Sequence, residues 1–557
     1  MVGSFRYKSA EACVRVNRTF PAMIRFSALA TLLALCSCTS VQTGTTSAPG
    51  AVLRIAQLQE PASLDPLLLN GTVGLESAYL VYDYLLKIDD RGLLVPGIAT
   101  AVPTLTNGGI SADQRHITYH LRHGVKFSDG VELTADDVVF TASAVNNPKN
   151  LIQSRLGYDQ IESLHARDRY TVEVTLKRPW APFLVMFCAP GNVYPVMPKH
   201  ILAKFPDVNQ IDFSSHPIGS GPYTVVEWRR GDRVVLQANK SYWKGTPRIA
   251  RIELRFTPDH NAMVNRLASR DVDAVFNTDP SVVPQLRAVD SVALTFTPMD
   301  GQGALIFNMR DPVTGDVRVR RALSMALDVA TMVAKASQNV YSATDAGRGL
   351  FKWAYTPDVL KMPHYDPAGA RSLLDQAGWK VGPGGMRSKN GRPLDVLLIS
   401  EKGSQSYAII ANSVQQYEKA VGANVTLKEF VVEKFAAPPA LGGPVYSGKF
   451  GIAQYPFLPG LDPDVTDQFA CDRVPPNGFN KPRYCSKEMD AALARSVSTF
   501  DRTQRQLAYN QIQSIVSRDL PMLLSYQIVQ VNAFPKWIKH QTFSPASPFW
   551  DVAAWSP

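Results

Sequence analysis

The sequence is poor in cysteine, has no long apolar run, and lacks the short motifs that mark common chemistries. Its 557 residues hold 6 cysteines, at positions 13, 36, 38, 188, 471 and 485. None of them forms a Cys-x-x-Cys or a Cys/His pair at ligand spacing, which argues against a zinc site. No stretch approaches the ~18 consecutive apolar residues of a membrane-spanning helix. Gly-x-Ser-x-Gly, His-Glu-x-x-His, Gly-x-x-x-x-Gly-Lys-Ser/Thr and a Gly-x-Gly-x-x-Gly after a strand are all missing, so no residue argues for enzyme activity. Basic runs interleaved with aromatics are missing as well. The formal charge is +10, but Arg6, Lys8, Arg15, Arg18 and Arg25 stand against one acid, Glu11, before residue 38. The remaining excess is thin and reads as a mildly basic solvated surface, with no nucleic-acid partner. No cofactor and no metal are implied.

What is present reads as a large globular chain. It is 45% hydrophobic and 19% charged, which rules out a disordered chain. At about 100–200 residues per domain, two or three packing units are expected. Strand and helix signals are interspersed, so the class is α/β, mixed α+β. Tyr170, Val172, Val174 and Leu176 alternate with polar residues, as do Ile252, Leu254 and Phe256, which is the period of half-buried strands. Thr134 with Asp137 predicts a capped helix start. Asp366, Pro367 and Gly378 bracket a second helix, and Ala508, Ile512, Ile515 and Val516 mark a third that stops at Pro521. Residues 522–531 read as a buried strand. His116, His120 and His123 invite a metal reading, but Ile117, Tyr119 and Leu121 alternate between them. On a strand His116 and His120 lie ~13 Å apart and cannot share an ion.

The segment Phe26 to Leu35 is apolar, about ten residues long and preceded by basic side chains, as in an export signal. Its end, Leu35-Cys-Ser-Cys38, resembles a bacterial lipobox. Cys38 is the better lipid acceptor, because Cys36 would place bulky Leu35 at the cleavage point. The expected organisation is a lipoprotein signal peptide over 1–37 and a flexible tether over 38–50, small and polar, with the fold beginning at 51. In an exported protein, Cys471 and Cys485 are a reasonable disulfide closing a Pro- and Asn-rich loop. Cys188, among Leu184, Val185, Met186 and Phe187, reads as a buried thiol.

Several separated segments together carry a resemblance. They are Glu60-Pro-Ala-Ser-Leu-Asp-Pro66, Thr118-Tyr-His-Leu-Arg-His-Gly-Val-Lys-Phe-Ser-Asp-Gly130 with Leu133-Thr-Ala-Asp-Asp-Val-Val-Phe140, Gly219-Ser-Gly-Pro-Tyr223, Asn239-Lys-Ser-Tyr-Trp-Lys-Gly245, Phe307-Asn308 with Val317-Arg-Val-Arg-Arg-Ala-Leu323, and Tyr365-Asp-Pro367 with Ala377-Gly378. In this order they resemble the family 5 extracellular solute-binding proteins, the dipeptide/oligopeptide-binding receptors of ATP-binding-cassette importers. The resemblance implies a two-lobed, periplasmic-binding-protein-like fold of type II, cluster C. Lobe I would cover 51–300, with an extra subdomain at about 88–214, lobe II would cover 301–514, and 515–557 would return to lobe I.

It also implies a monomeric receptor in the cell envelope, lipid-anchored to the membrane, that captures peptides between its lobes and hands them to permease subunits driven by ATPases. Within the same role the ligand is alternatively a nickel chelate, haem, an oligosaccharide or an opine. A secreted hydrolase or an envelope chaperone is the alternative of a different class. Glu60, Pro61 and Ala62 match a loop that approaches ligand, and Tyr455, Pro456, Phe457, Leu458 and Pro459 match the segment of lobe II that lines the cleft. Trp353 and Tyr355, after the Gly347-Arg-Gly349 loop, are further candidates. Peptide binders of the family carry an Asp just before Asp-Pro-Asp that pairs with the peptide amino terminus. Anchored on Asp462-Pro463-Asp464, that position is Pro459, so another acid, Glu60 for example, supplies the charge or the ligand has no amino terminus there. Asp462 itself is expected to be structural.

Overall fold

The structure, a computed structural model, describes residues 51–557 other than 62, 69–71, 153–154, 156, 189–193, 210, 214, 258, 344–351 and 438–440, and without the side chains of 72–76 and 300. The expected signal peptide, tether and Cys38 lie outside the described residues, as do Ala62 and the Gly347–Gly349 loop.

In chain order the strands that frame the site are β1 (Val52–Gln57), β2 (His116–His120), β3 (Ile161–Asp168), β4 (Thr171–Leu176), β5 (Tyr223–Arg229), β6 (Arg233–Ala238), β7 (Arg251–Phe256), β8 (Ala274–Val275), β9 (Val292–Phe307), β10 (Asp395–Glu401), β11 (Asn424–Phe430), β12 (Ile452–Phe457) and β13 (Met522–Pro535). Among the described residues β2, β4 and β3 form a three-stranded sheet in that order. A ten-stranded sheet runs β11-β10-β12-β9-β13-β8-β1-β7-β6-β5. It mixes parallel pairs, such as β1 with β7 from Val52↔Arg251 to Gln57↔Phe256, with antiparallel ones, such as β9 with β13 from Val292↔Pro535 to Ile306↔Met522.

Alternation along these strands decides what each residue buries. In β9, Leu305 and Phe307 enter one apolar core while Ala304 and Ile306 enter another on the opposite face. The same split separates Leu398 from Ile399, Ile452 from Ala453, and Leu523 from Leu524. Both faces of this half of the sheet are therefore covered, which explains strands that read as continuous apolar runs. The other half behaves alike. Leu53 and Ile55 enter the largest core, which also takes in Tyr119, Phe187 and the C-terminal Phe543, Phe549 and Trp555, whereas Ala56 joins a smaller core with Met263 and Leu286.

Local signals set several elements where the sequence placed them. The helix Ala135–Asn146 begins with the Thr134 N–H donating to the Asp137 carboxylate at 2.8 Å. The helix Pro367–Gln376 is capped by Asp366, which accepts from the Gly369 N–H at 2.8 Å, and Gly378 beyond its end has φ +89°. His116 and His120 stand at opposite ends of β2. Cys188 is buried, and Cys471 and Cys485 are joined as a disulfide with Cα atoms 4.4 Å apart.

The chain crosses between the two halves of the sheet along β9 and β13, not through loops. The expected boundary at 300/301 lies inside β9, at a register shift between Pro298 and Gln302 against β13. The expected return at 515 falls within the helix Arg502–Asp519, whose Ile515 and Val516 pack in the core shared by Ala304 and Ile306, and β13 then runs on to Phe534 in the largest core. Residues 88–214 carry their own three-stranded sheet but share that largest core with the strands around them.

Candidate functional site

Strand β12 ends at the site. Its ladder to β9 runs from Ile452↔Phe307 through Tyr455↔Ala304 to Phe457↔Gln302, whereas its ladder to β10 stops after Leu398↔Ile452 and Ile399↔Ala453. From Gln454 to Phe457 the strand is thus paired on one side only. Past Phe457 come Leu458, which is exposed, Pro459, and Gly460 at φ +104°, where the chain turns out of the sheet.

That turn is pinned by Asp462. Its carboxylate receives the Arg505 guanidinium through both oxygens, one at 2.9 Å, and Arg505 also donates to the Ser496 carbonyl at 2.7 Å. Both partners are nearly buried. Trp353 completes this arrangement, with the Arg505 guanidinium 5.3 Å from its ring centre and Tyr509 packed edge-on at 5.7 Å. Trp353 is a support for the ion pair and lines neither of the cavities described next.

Two cavities flank the segment. The larger, about 690 Å³, has one wall from Asp159, Gln160, Arg178 and Trp180, and the other from Tyr446, Tyr455, Pro456, Leu458, Pro459 and Lys481 among others. The smaller, about 120 Å³, is apolar and is bounded by Tyr355, Phe457, Pro459, Phe469 and Leu524. Of the five candidates in 455–459, four face the large cavity, Phe457 faces the small one, and Pro459 touches both.

The structure does not bring Glu60 to either cavity. Its carboxylate accepts from the Trp228 indole N–H and from the Gly231 backbone N–H, each at 2.9 Å, with Arg230 3.6 Å away and stacked on Trp228. Glu60 therefore secures the β5–β6 turn and is not a free acid waiting for a ligand ammonium. Pro61 beside it is buried.

Lys481 and Asp467, which the sequence did not single out, put charge on the wall of the large cavity beside Asp464. Lys481 follows Asn480, whose buried amide donates to the Ala470 carbonyl at 2.8 Å and the Tyr484 carbonyl at 2.7 Å, fixing the loop closed by the Cys471–Cys485 disulfide. The Lys481 Nζ lies 4.6, 5.3 and 5.5 Å from the ring centres of Tyr455, Phe479 and Tyr446. Burial pushes its ammonium down to about 8, against the pull of Asp467. Burial likewise raises the Asp467 carboxyl, opposed by Arg473 and Lys481, and pushes Asp464 up to about 6, opposed by the Thr466 hydroxyl. A lone lysine in the loop closed by the expected disulfide, a few residues after the Asp-Pro-Asp segment, was the available signal for Lys481.

Comparison with known proteins fits this architecture. Residues 94–469 match the family described as bacterial extracellular solute-binding proteins, family 5 Middle. This chain belongs to that family. It is 31% identical over 536 residues to Protein XP55 of Streptomyces lividans, covering 91% of this chain and 89% of that one. The oligopeptide-binding protein AppA of Bacillus subtilis, solved in complex with a nonapeptide, superposes with TM-score 0.77 at 25% identity, over 91% of this chain and 99% of AppA. NikZ from Campylobacter jejuni, in complex with Ni(L-His), superposes with TM-score 0.80 at 24% identity, over 92% of this chain and all of NikZ, and shares the fold. As a family 5 member the chain is a solute-binding protein of the extracellular or periplasmic class, with a mixed α/β fold. Among the described residues no helix is long and apolar enough to cross a membrane.

Proposed function

We propose that this chain is the substrate-binding component of an ATP-binding-cassette importer and that it captures peptides in extended form between two lobes, releasing them to a membrane permease. The observation that carries the peptide reading is the one-sided pairing of β12 over Gln454–Phe457. An extended peptide adds a strand to such an edge through its backbone, while the adjoining 690 Å³ cavity accommodates side chains. Lobe I then consists of the strands before β9 with the C-terminal tail, and lobe II of the elements between β9 and β13. A solute touching both walls of the cavity favours the closed arrangement by its differential affinity for it.

Delivery to a permease suits a receptor that stays at the membrane. Cys38 at the end of an export signal is the proposed acceptor of the lipid anchor, with residues 39–50 as the tether and the receptor acting as a monomer. The test is native mass spectrometry of the purified protein, with release of retained solutes and calorimetric re-addition. A set of short peptides that rebind one per chain supports the reading. A single retained non-peptide solute, with no peptide competing for it, overturns it. Labelled palmitate incorporated by the parent chain but not by Cys38→Ser tests the anchor.

A further inference from the structure

The acids on the cavity wall are for the most part already used. Asp159 accepts from the Gly157 N–H and from Gln160, each at 2.9 Å, Asp464 accepts from Thr466, and Asp490 accepts from the Cys471 N–H at 3.0 Å. Asp472 stands 3.5 Å from Arg473. Lys481 differs. Its ammonium makes no hydrogen bond and no ion pair with any described residue, and Asp467, shared with Arg473, is the carboxylate that acts on it electrostatically. Its neighbours are the rings of Tyr446, Tyr455 and Phe479, yet it borders the large cavity. A cation this buried, with ring faces around it and Asp467 the one carboxylate acting on it, is under-compensated, and a well-placed carboxylate on a solute restores what burial removed. The Asn480 hydrogen bonds fix the backbone that carries it, so no loop has to be ordered when an anion arrives. Pro459, on the same wall, offers no charge.

We propose that Lys481 is the specificity-determining residue of the cleft, accepting a carboxylate of the bound solute, so that this receptor selects its ligands by an anionic group and not by an amino terminus. The inference rests on the receptor reading above and names the chemical class of its ligand. A peptide presents such a group as its C-terminal carboxylate.

The test compares acids with their own amides on the full chain by calorimetry. The probes are di- to penta-alanine as free acid and as C-terminal amide, and succinate and glutarate with their diamides. At least one acid is expected to bind about tenfold or more tightly than its amide. In Lys481→Met that ratio should shrink to near one while the melting temperature holds or rises, because a buried charge has been removed, and Lys481→Arg should keep it. The parent's own preference should also fade between about pH 6.5 and about pH 9.5 as the ammonium, flanked by Asp467, Arg473, Tyr446 and Tyr455, loses its proton. That last reading decides the matter if Lys481→Met does not fold. A preference that survives in Lys481→Met, or a parent that binds no acid better than its amide, overturns the assignment. Dicarboxylates binding where peptides do not would remove the peptide reading and leave Lys481 in its role. Peptides binding equally as acid and amide would do the reverse.

Discussion

Arg505, on the helix Arg502–Asp519, reaches into the turn after β12 and closes on both oxygens of Asp462, so the segment bordering the two cavities is held by an ion pair buried against Trp353 and Tyr509. Removing one partner of such a pair leaves an uncompensated charge in a dry site. Asp462→Ala is expected to cost about 3 kcal/mol or more of stability, measured by urea unfolding, whereas Asp159→Ala at the cavity rim should cost well under half of that. Equal losses in the two variants would show that Asp462 is not the pin of the turn.

Gly303 faces the ring of Tyr526, where an added Cβ would sit 2.1 Å from two ring carbons. Gly303→Ala is expected to lose roughly 1–3 kcal/mol, since the ring must shift or β9 must part from β13. Thermal melts of Gly303→Ala and Gly303→Ala/Tyr526→Leu provide the check, with the second change recovering much of the loss.

The disulfide between Cys471 and Cys485 spans a sequence separation of 14. Its removal in Cys471→Ser/Cys485→Ser should lower stability by about 3 kcal/mol through the freed loop. Because the same loop holds Asn480 and Lys481, affinity for the acid probes should fall with it. Unchanged affinity in a folded double variant would mean that Asn480 alone fixes the loop.

Asp65 is buried, with one oxygen accepting from the Leu67 N–H at 3.0 Å and the other without a hydrogen-bond partner among the described residues. Burial pushes its carboxyl up to about 6, well above the ordinary carboxylate range. The folded state therefore holds this proton more tightly than the unfolded chain. The associated stabilisation is fully present below the unfolded value and is lost as pH rises through about 6. Asp65→Asn removes that loss, so its stability relative to the parent should improve by about 1–3 kcal/mol between pH 5 and pH 8, read from paired denaturation curves. A gap that does not change with pH would place the carboxyl at its ordinary value.

What could be read from the sequence was what local chemistry settles. Thr134 with Asp137, and Asp366 with Pro367 and Gly378, bracket their helices through bonds made within a few residues, and the alternation of Tyr119 with Ile117 made a strand where three histidines suggested a metal. Resemblance picked out the segment from Tyr455 to Pro459, which the fold sets against two cavities. Roles set by distant packing stayed hidden. Glu60 looked available because nothing near it in sequence is basic, while its partners Trp228, Arg230 and Gly231 arrive from a hairpin about 170 residues on. Trp353 was a candidate for the cleft, and only the approach of Arg505 shows it to be a support. Lys481 sat in a loop noted for its prolines and its flanking cysteines. What sets it apart is its three ring neighbours, two of them, Tyr446 and Tyr455, brought to it by the fold.

The strands β9 and β13 have a thermodynamic corollary. Each carries residues of the cores on both sides of the cleft in one hydrogen-bonded ladder, with Leu294 and Val531 at one end and Leu305 and Leu523 at the other. Melting either core frays the ladder that the other depends on, so neither has an independent melting point. Calorimetry of this receptor should record a single cooperative transition in which its two halves lose structure together.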